Sequence, residues 1–431
     1  MRSSRGNRTS TGADLSWSYE DAEAYLASME PFGWRFGLDR IRRLVSALGM
    51  PQHRFASIHV VGTNGKTSAT EMTSALLEAH SVRTGAYLSP HETRWSERVR
   101  IGGAEIGADE FAAAVERVAD SVEAVNRTLT EEGDAVTQFE VLTAAAFVAL
   151  AAAGVDVGVI EAGLGGRLDA TNVLPSQATA LTSVGLEHTQ WLGETEVEIA
   201  AEKLAVLRDH TTLVLGEVSD EVEALARATA AERHAQLIHV RGLSPQVELT
   251  TPAPYVRRNF AVALACADVI VDRLDPGRVR DVAAGLELHG RMEVVDGDPT
   301  VILDAAHNPA GAAALAEALP TAGESRPVVG CIATLADKDA AGILAALAPQ
   351  LAALVTTEIP PARLEAVGRP GARSIRAAEL ANLARTAGIA EVEARQDPDE
   401  AVVRARELAR EMGAVALVFG SHYLLRYAGH G

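Results

Sequence analysis

The clearest chemical signal in the sequence is a glycine-containing loop that ends in a lysine. Residues 60–68 read VVGTNGKTS and lie between an apolar segment and a helical pattern. In that setting the loop N–H groups, the helix N-terminus and Lys66 can bind phosphates, and Thr67 or Ser68 can offer a hydroxyl to Mg²⁺. Val60 stands where the usual spacing of such loops has its first glycine. An ordinary strand–helix turn with a surface lysine is therefore the alternative.

A second signal is a carboxylate at the end of another apolar segment. Glu161 follows the apolar run 155–160 and is itself followed by Gly163, Gly165 and Gly166. Nucleotide-binding α/β proteins place a Mg²⁺ ligand at the carboxyl end of a strand, and glycines let the backbone approach a ligand closely. Such a turn is also common without a ligand, but a Mg²⁺–nucleotide site needs this carboxylate besides its phosphate loop.

Histidine and lysine form a third signal. Glu187 and His188 follow the apolar segment 178–184, and Lys203 shares a face of the next helical pattern with Ile199. A lysine on an apolar face must extend its ammonium to solvent, pair with a carboxylate or lose its charge. Extension to solvent is the ordinary interpretation of Lys203, and a structural role that of His188.

The second half of the chain carries one comparable motif. Residues 303–309 read LDAAHNP and lie between an apolar segment and a helical pattern. Asp304, His307 and Asn308 are therefore predicted to face the crevice at the carboxyl edge of a sheet. Asn308 before Pro309 also fits a helix N-cap. Other polar residues that could reach the crevice from the second strand are Ser89, His91, Glu97 and Arg98.

The elements that must position these residues follow from hydrophobic periodicity. Short apolar runs alternate with helical patterns from about residue 56 onward, which is typical of α/β domains with parallel sheets. We predict an N-terminal P-loop-type parallel sheet domain over residues 17–288 and a smaller C-terminal Rossmann-like α/β domain over residues 289–431. Residues 1–16 are predicted to be a disordered tail.

Some local boundaries can also be predicted. The pattern favours a helix over residues 66–79, a hairpin over residues 99–106 and a helix over residues 259–274. Asp109 is predicted near the N-cap of the helix that follows the hairpin.

The composition excludes several function classes. The 431 residues include 39 Lys and Arg against 58 Asp and Glu, a formal net charge of −19. An acidic chain repels nucleic-acid phosphate, and the longest apolar run, residues 144–155, is too short to span a membrane. The two cysteines lie far apart, and the polar N-terminus predicts no signal peptide. We expect a cytoplasmic protein with neither nucleic-acid nor membrane partners.

Taken together and in this order, the motifs resemble the folylpolyglutamate synthase/dihydrofolate synthase branch of the Mur ligase superfamily. The most branch-specific run is EAGLGGRLDATNV at residues 161–173, and the likeness extends over residues 25–425. The other matching runs are residues 31–41, 59–66, 88–91, 97–99, 139–140, 182–183, 188, 191–193, 202–203, 290–293, 304–309 and 337–338.

The resemblance implies ATP-dependent amide formation. A carboxylate of the folate would be phosphorylated by Mg²⁺-ATP, the amine of L-glutamate would attack the acyl phosphate, and phosphate would leave. The protein would contribute mainly positioning and charge neutralisation. The implied partners are small molecules only: ATP, L-glutamate and a folate or dihydropteroate. The resemblance also implies a monomer, the usual oligomeric state in this family.

The resemblance also implies roles for single residues. The catalytic residues would be Lys66, Lys203 and His307, with Lys203 carbamylated. Two Mg²⁺ sites are implied, one at Ser89 and Glu161 and one at His188. The ATP-binding residues would be Asn64, Gly65, Lys66, Thr67, Ser68, Asn259 at the adenine, Arg291 at the phosphates and Asp304 at the ribose. The folate-binding residues would be Arg35, Phe36, Gly37, Thr137, Gln138, Phe139, Glu140, Leu168, Asp169 and Ala170.

A few positions depart from the branch pattern. Thr67 follows the loop lysine where the branch usually has glycine, and Glu92 occupies a normally aliphatic position. Tyr255 and Val256 begin a stretch that lacks the usual His-Gln before Asn259. These departures leave open a Mur-type ligase acting on another carboxylate. A P-loop kinase or a nucleotide-binding module is a further alternative, although the chain has no Asn-Lys-x-Asp motif for a guanine nucleotide.

Overall fold

The computed structural model describes residues 17–29, 37–129, 134–251, 253–322, 326–369 and 371–428. The predicted tail of residues 1–16 lies outside the described residues, as do Arg35 and Phe36. Two sheets flanked by helices form the described part of the chain. The predicted class, a parallel-sheet α/β domain followed by a smaller α/β domain, is confirmed.

The first domain is built on an eight-stranded sheet in the order β4-β3-β2-β5-β1-β6-β7-β8. Its strands are β1 Ala56–Val61, β2 Thr84–Tyr87, β3 Val99–Ile101, β4 Ala104–Glu105, β5 Val157–Glu161, β6 Ala178–Leu181, β7 Thr212–Leu215 and β8 Gln236–His239. The pairs β2–β3 and β3–β4 are antiparallel, as the predicted hairpin requires, and the remaining pairs are parallel. The central parallel strands are buried on both faces, which explains their largely apolar sequences, although Ser57 and His59 of β1 are buried as well.

Ten helices among the described residues belong to this domain. They are α1 Tyr19–Ser28, α2 Asp39–Ala47, α3 Lys66–Ala79, α4 Ala108–Asn126, α5 Gln138–Ala153, α6 Thr189–Leu192, α7 Glu196–Leu204, α8 Asp220–Glu232, α9 Pro254–Ile270 and α10 Pro276–Gly285. The predicted limits of α3 agree with the structure. Helix α9 begins five residues before the predicted Asn259, because Pro254 supplies a φ suited to a first helical turn. Gly107 caps α4, so Asp109 lies in its first turn instead.

The second domain is built on a six-stranded sheet in the order β13-β12-β11-β14-β10-β9, in which β9 alone pairs antiparallel. Its strands are β9 Glu293–Val295, β10 Val301–Asp304, β11 Val328–Ile332, β12 Leu351–Thr356, β13 Glu391–Ala394 and β14 Val415–Phe419. The helices are α11 Pro309–Ala322, α12 Ala340–Leu347, α13 Pro361–Ala366, α14 Ala377–Thr386, α15 Pro398–Glu411 and α16 His422–Leu425.

The two domains share part of their hydrophobic core. Phe260 of α9 and Leu315 of α11 are both fully buried in one cluster that takes residues from each domain. The docking brings the carboxyl ends of β1, β5 and β6 opposite the carboxyl end of β10, and crevices at such edges are where α/β proteins bind ligands. No helix among the described residues combines the length and apolar character that a membrane crossing needs.

Candidate active site

A cavity of about 1150 Å³ lies between the two domains and collects most of the predicted site residues. Its walls come from the loops after β1, β2, β5 and β6 on one side, and from the loops after β10, β11 and β14 on the other. The predicted residues that line it are Gly37, Asn64, Gly65, Lys66, Thr67, Ser89, Thr137, Phe139, Glu140, Glu161, Leu168, Asp169, Ala170, His188, Lys203, Asn259, Arg291, Asp304 and His307.

Two predicted residues do not line the cavity. The side-chain amide of Gln138 donates a 2.8 Å hydrogen bond to the backbone carbonyl of Leu26, so it connects α5 to α1. The hydroxyl of Ser68 is buried beneath the first turn of α3. Gln138 thus lies outside the cavity wall, and of the two hydroxyls predicted for Mg²⁺ it is that of Thr67, not that of Ser68, whose residue lines the cavity.

The phosphate loop depends on a glycine immediately before its lysine. Gly65 has φ +83°, and a Cβ atom added there would lie 2.3 Å from Oδ1 of Asn259. Helix α3 starts at Lys66, so its first N–H groups have no partners within the helix. The Lys66 ammonium donates to the carbonyls of Gly62 and Thr63, at 3.0 and 3.1 Å. These features suit an anion at this helix end.

We expect Gly65→Ala to weaken ATP binding at least about tenfold and to destabilise the protein by about 1–3 kcal/mol, because the methyl group combines an unfavourable φ with a clash. Calorimetric titration with ATP and thermal unfolding would measure both effects. Gly102→Ala is the matched control, since Gly102 has φ +58° but open space around a Cβ. Unchanged ATP affinity in Gly65→Ala would contradict this account of the loop.

A buried carboxylate lies beside the loop. Glu161 is 1% exposed, and it accepts hydrogen bonds from the Thr67 hydroxyl at 3.0 Å and from the Ser89 N–H at 3.3 Å. Burial raises the pKa of Glu161 to about 7, although the nearby Lys66 charge acts in the opposite direction. Thr67, which departs from the branch pattern, thus has a defined partner.

These groups fit a Mg²⁺ ion. No group of three or more His, Cys, Asp or Glu arranged for a metal occurs in the described ranges. Mg²⁺ does not require one, because it is commonly held by one or two carboxylates, with water and substrate phosphates completing its shell. Glu161 with the Ser89 and Thr67 hydroxyls could hold the ion, which would neutralise phosphate charge.

Lys203 is buried beside the phosphate loop. Its ammonium donates a 2.9 Å hydrogen bond to the Gly62 carbonyl, which also accepts from Lys66. Burial, together with the charge of the neighbouring Lys66, lowers the pKa of Lys203 to about 7. The chain contains only three lysines, and all of them, including Lys338, line this cavity. The Lys203 side chain therefore does not extend to solvent, which was its ordinary interpretation from the sequence.

A second carboxylate joins the two domains across the cavity. Glu187 lies 2.8 Å from the Lys338 ammonium, 3.4 Å from His307 Nε2 and 3.6 Å from His188 Nε2. Burial opposes the charge of Glu187, but the contacts with His307 and Lys338 outweigh it and hold its pKa well below the usual range. Burial lowers the pKa of His188 to about 4, which leaves a neutral imidazole suited to binding a metal.

The polar groups that the second domain contributes are also held by hydrogen bonds. Asp304 accepts hydrogen bonds from the Tyr255 hydroxyl, from Met292 N–H at 2.9 Å and from Ala306 N–H at 2.8 Å. Burial raises its pKa despite these bonds. Arg291 lines the cavity next to this carboxylate. Sequence reasoning missed Tyr255, although its position one helical turn before Asn259 was a usable signal.

Asn308 caps α11, the alternative that the sequence left open, and it is buried instead of lining the cavity. Its Oδ1 accepts from Gly311 N–H at 2.8 Å, as a helix cap does. Its amide also forms a reciprocal pair with the amide of Asn64, at 3.1 and 2.9 Å. The phosphate loop of the first domain is thereby bound directly to the first turn of α11 in the second.

The end of the cavity at α5 is lined by apolar and carboxylate groups. Glu140 forms a 3.1 Å ion pair with Arg40, and it accepts from Thr137 N–H at 2.8 Å in a capping box. The Glu140 carboxylate is therefore already paired with groups of the protein. Leu168 and Trp191 remain 42% and 40% exposed at the cavity, which suits a flat aromatic ligand.

Comparison with known proteins agrees with this geometry. A family model described as "Mur ligase, glutamate ligase domain" matches residues 290–422. The chain is 36% identical over 358 residues to the dihydrofolate synthase/folylpolyglutamate synthase of Mycobacterium tuberculosis, which covers 74% of each protein. The solved structure of folylpolyglutamate synthase from that organism with ADP superposes with a TM-score of 0.85 at 31% identity, covering 95% of this chain and 97% of that one.

Two further solved structures carry informative ligands. Escherichia coli FolC in complex with DHPP and ADP has a TM-score of 0.81 at 26% identity, covering 96% of this chain and 97% of that chain. The bifunctional folylpolyglutamate synthase/dihydrofolate synthase of Yersinia pestis with AMPPNP and a Mn ion has a TM-score of 0.80 at 29% identity, with the same coverage.

Proposed function

Because the chain belongs to the folylpolyglutamate synthase/dihydrofolate synthase family, we propose that it is an ATP-dependent ligase that adds L-glutamate to a folate. The reaction would extend tetrahydrofolate, convert dihydropteroate to dihydrofolate, or both. The single observation that carries the proposal is the shared cavity. It places a phosphate loop and a buried carboxylate from one domain opposite Asp304 and His307 of the other.

The phosphate side of the cavity would activate the acid. Lys66 and the N-terminus of α3 would bind and neutralise the ATP phosphates. Mg²⁺ held by Glu161 and Ser89 would supply additional positive charge. A second metal at His188 and a carbamylated Lys203 belong to the same proposal, supported by the neutral imidazole and the lowered pKa of the amine.

The remaining walls would hold the other reactants. Asp304 and Asn259 would bind the nucleoside, while His307 would lie near the incoming glutamate. Leu168 and Trp191 would contact the pterin, in line with the DHPP bound to the E. coli relative. Because each reactant would be held on a different element, the reaction would depend on positioning more than on covalent participation of the protein.

The deciding experiment supplies purified protein with ATP, L-glutamate and either tetrahydrofolate or dihydropteroate. We expect phosphate release that requires both the pterin and glutamate, together with a glutamyl amide product detected by mass spectrometry. Lys66→Ala protein is the control for contaminating ATPase. Absence of phosphate release with both pterins would reject the folate substrate, and a stable phosphate ester without an amide would indicate a kinase. The cytoplasmic location and monomeric state stay predictions.

A further inference from the structure

One carboxylate of the first domain lies against several segments beyond that domain. Glu92 belongs to the loop between β2 and β3. Its Oε2 lies 3.4 Å from His289 Nε2, and its Oε1 lies 3.6 Å from His422 Nδ1. Its backbone carbonyl accepts a 2.6 Å hydrogen bond from Arg363. We call these four residues the interdomain clamp: His289 precedes β9, while Arg363 and His422 belong to α13 and α16 of the second domain.

The clamp is charged and half-buried, with His289 at its exposed side. Burial opposes the charge of Glu92, but the contacts with His289 and His422 outweigh it and hold its pKa below the usual range. The hydrogen bond to Glu92 raises the pKa of His289 to about 9, whereas burial lowers the pKa of His422 to about 4. A carboxylate and an imidazolium therefore face each other at neutral pH. The other charged or titratable groups nearby are Glu71, Glu293, Arg100, Arg291 and His307.

Hydrogen bonds within its loop tie Glu92 to the neighbouring residues of the first domain. The Glu97 carboxylate accepts hydrogen bonds from the backbone N–H groups of Glu92, Thr93 and Arg94, at 2.7 to 3.0 Å. The same loop contains Ser89, whose N–H donates a hydrogen bond to the carboxylate of Glu161. Any displacement of Glu92 would therefore be transmitted to the phosphate side of the cavity.

The clamp also reaches the opposite wall. His422 lines the cavity, and its ring centroid is 5.7 Å from that of His307. We propose that Glu92 is a positioning residue: through the clamp it holds the Ser89 loop against the second domain and so sets the separation between the phosphate side and His307. The proposed role of Glu92 rests on the proposed function in one respect: the reaction must use groups from both walls of the cavity. The family resemblance offers no such role, since it has an aliphatic residue at this position.

The first test separates positioning from folding. We expect Glu92→Gln to lower kcat/KM for glutamate by about 10- to 100-fold, as small misplacements of reacting groups do, with ATP affinity and thermal stability little changed. Glu92→Asp, which keeps the charge, should retain more activity than Glu92→Gln. The matched control is Glu223→Gln, which breaks a 3.1 Å carboxylate–imidazole pair with His239 inside the first domain and should leave kcat/KM unchanged.

A double-mutant cycle measures the coupling between two substitutions in their effects on kcat/KM, and a general loss of stability would not produce such coupling. Once Glu92→Gln is present, His289→Gln should cost less activity than it does in the wild type, because the 3.4 Å contact between the two residues is already lost and only the 2.7 Å pair of His289 with Glu293 is left to break. Additive effects of the two substitutions, or an unchanged kcat/KM in Glu92→Gln, would overturn the proposal.

Hydrogen exchange tests the clamp without any assumption about the substrate. In Glu92→Gln the amides of residues 92–94 should exchange faster than in the wild type, with ADP bound to both proteins. Unchanged protection of these amides would overturn the clamp. If the wild type forms no glutamyl amide, the proposed function is wrong, and the exchange experiment still decides the clamp.

Discussion

Lys66→Ala is expected to lower ATP turnover by at least about 100-fold, the scale on which loss of one preorganised charge-stabilising group acts. The Lys66 ammonium lies at the start of α3, within reach of the loop carbonyls that surround the predicted phosphate site. No other lysine can take its place, because the Lys203 ammonium donates to the Gly62 carbonyl and Lys338 is paired with Glu187 across the cavity. Steady-state phosphate release would measure the effect.

The control for Lys66→Ala is Arg227→Ala, which removes an exposed cation paired with Glu223 on α8. Circular dichroism and thermal unfolding should show that both variants remain folded. Turnover within a few-fold of the wild type in Lys66→Ala would mean that the loop does not bind the ATP phosphates.

Lys203→Ala is expected to lower turnover by about 100-fold or more, as loss of a group that supports a metal site does. Short carboxylic acids such as acetate should restore part of the activity, because they can occupy the space of a carbamate. Lys203→Arg should be equally inactive and resist rescue, since guanidinium keeps the charge and fills the site. Failure of acetate to restore activity to Lys203→Ala would refute the proposed carbamate. Unchanged turnover in Lys203→Ala would refute it as well.

The same residue predicts a pH dependence. A carbamate forms from the neutral amine and CO₂, and the pKa of Lys203 is lowered to about 7 by burial. At fixed CO₂, carbamate should therefore accumulate as the pH rises through 7 and be lost below it. Carbon NMR with ¹³C-bicarbonate should give a carbamate signal that disappears in Lys203→Ala, and the low lysine content of the chain makes its assignment direct.

Features that depend on neighbouring residues along the chain could be predicted from the sequence. The limits of α3, the hairpin of β3 and β4, and the placement of Glu161 at a strand end all follow from periodicity and residue type. Gln138, predicted at the folate, does not line the cavity: it lies inside the capping box of α5, a pattern that marks a helix start as readily as a substrate site. Resemblance alone could not distinguish the two.

Other features required the folded chain. Asn64 and Asn308 are 244 residues apart, and their paired amides exist only because α9 and α11 pack in one core. The contact of Glu92 with His289 and His422, and that of Tyr255 with Asp304, likewise join segments with no shared local pattern.

The sequence by itself determined the two α/β domains, the phosphate loop and the set of groups available for ligation, since each depends on local hydrophobic and turn patterns. Only the tertiary structure decided which of those groups share one cavity and what charge they carry there. The reason is physical: burial and contacts with segments distant in sequence shift the pKa of Glu161 and Lys203, and both arise only when the chain folds.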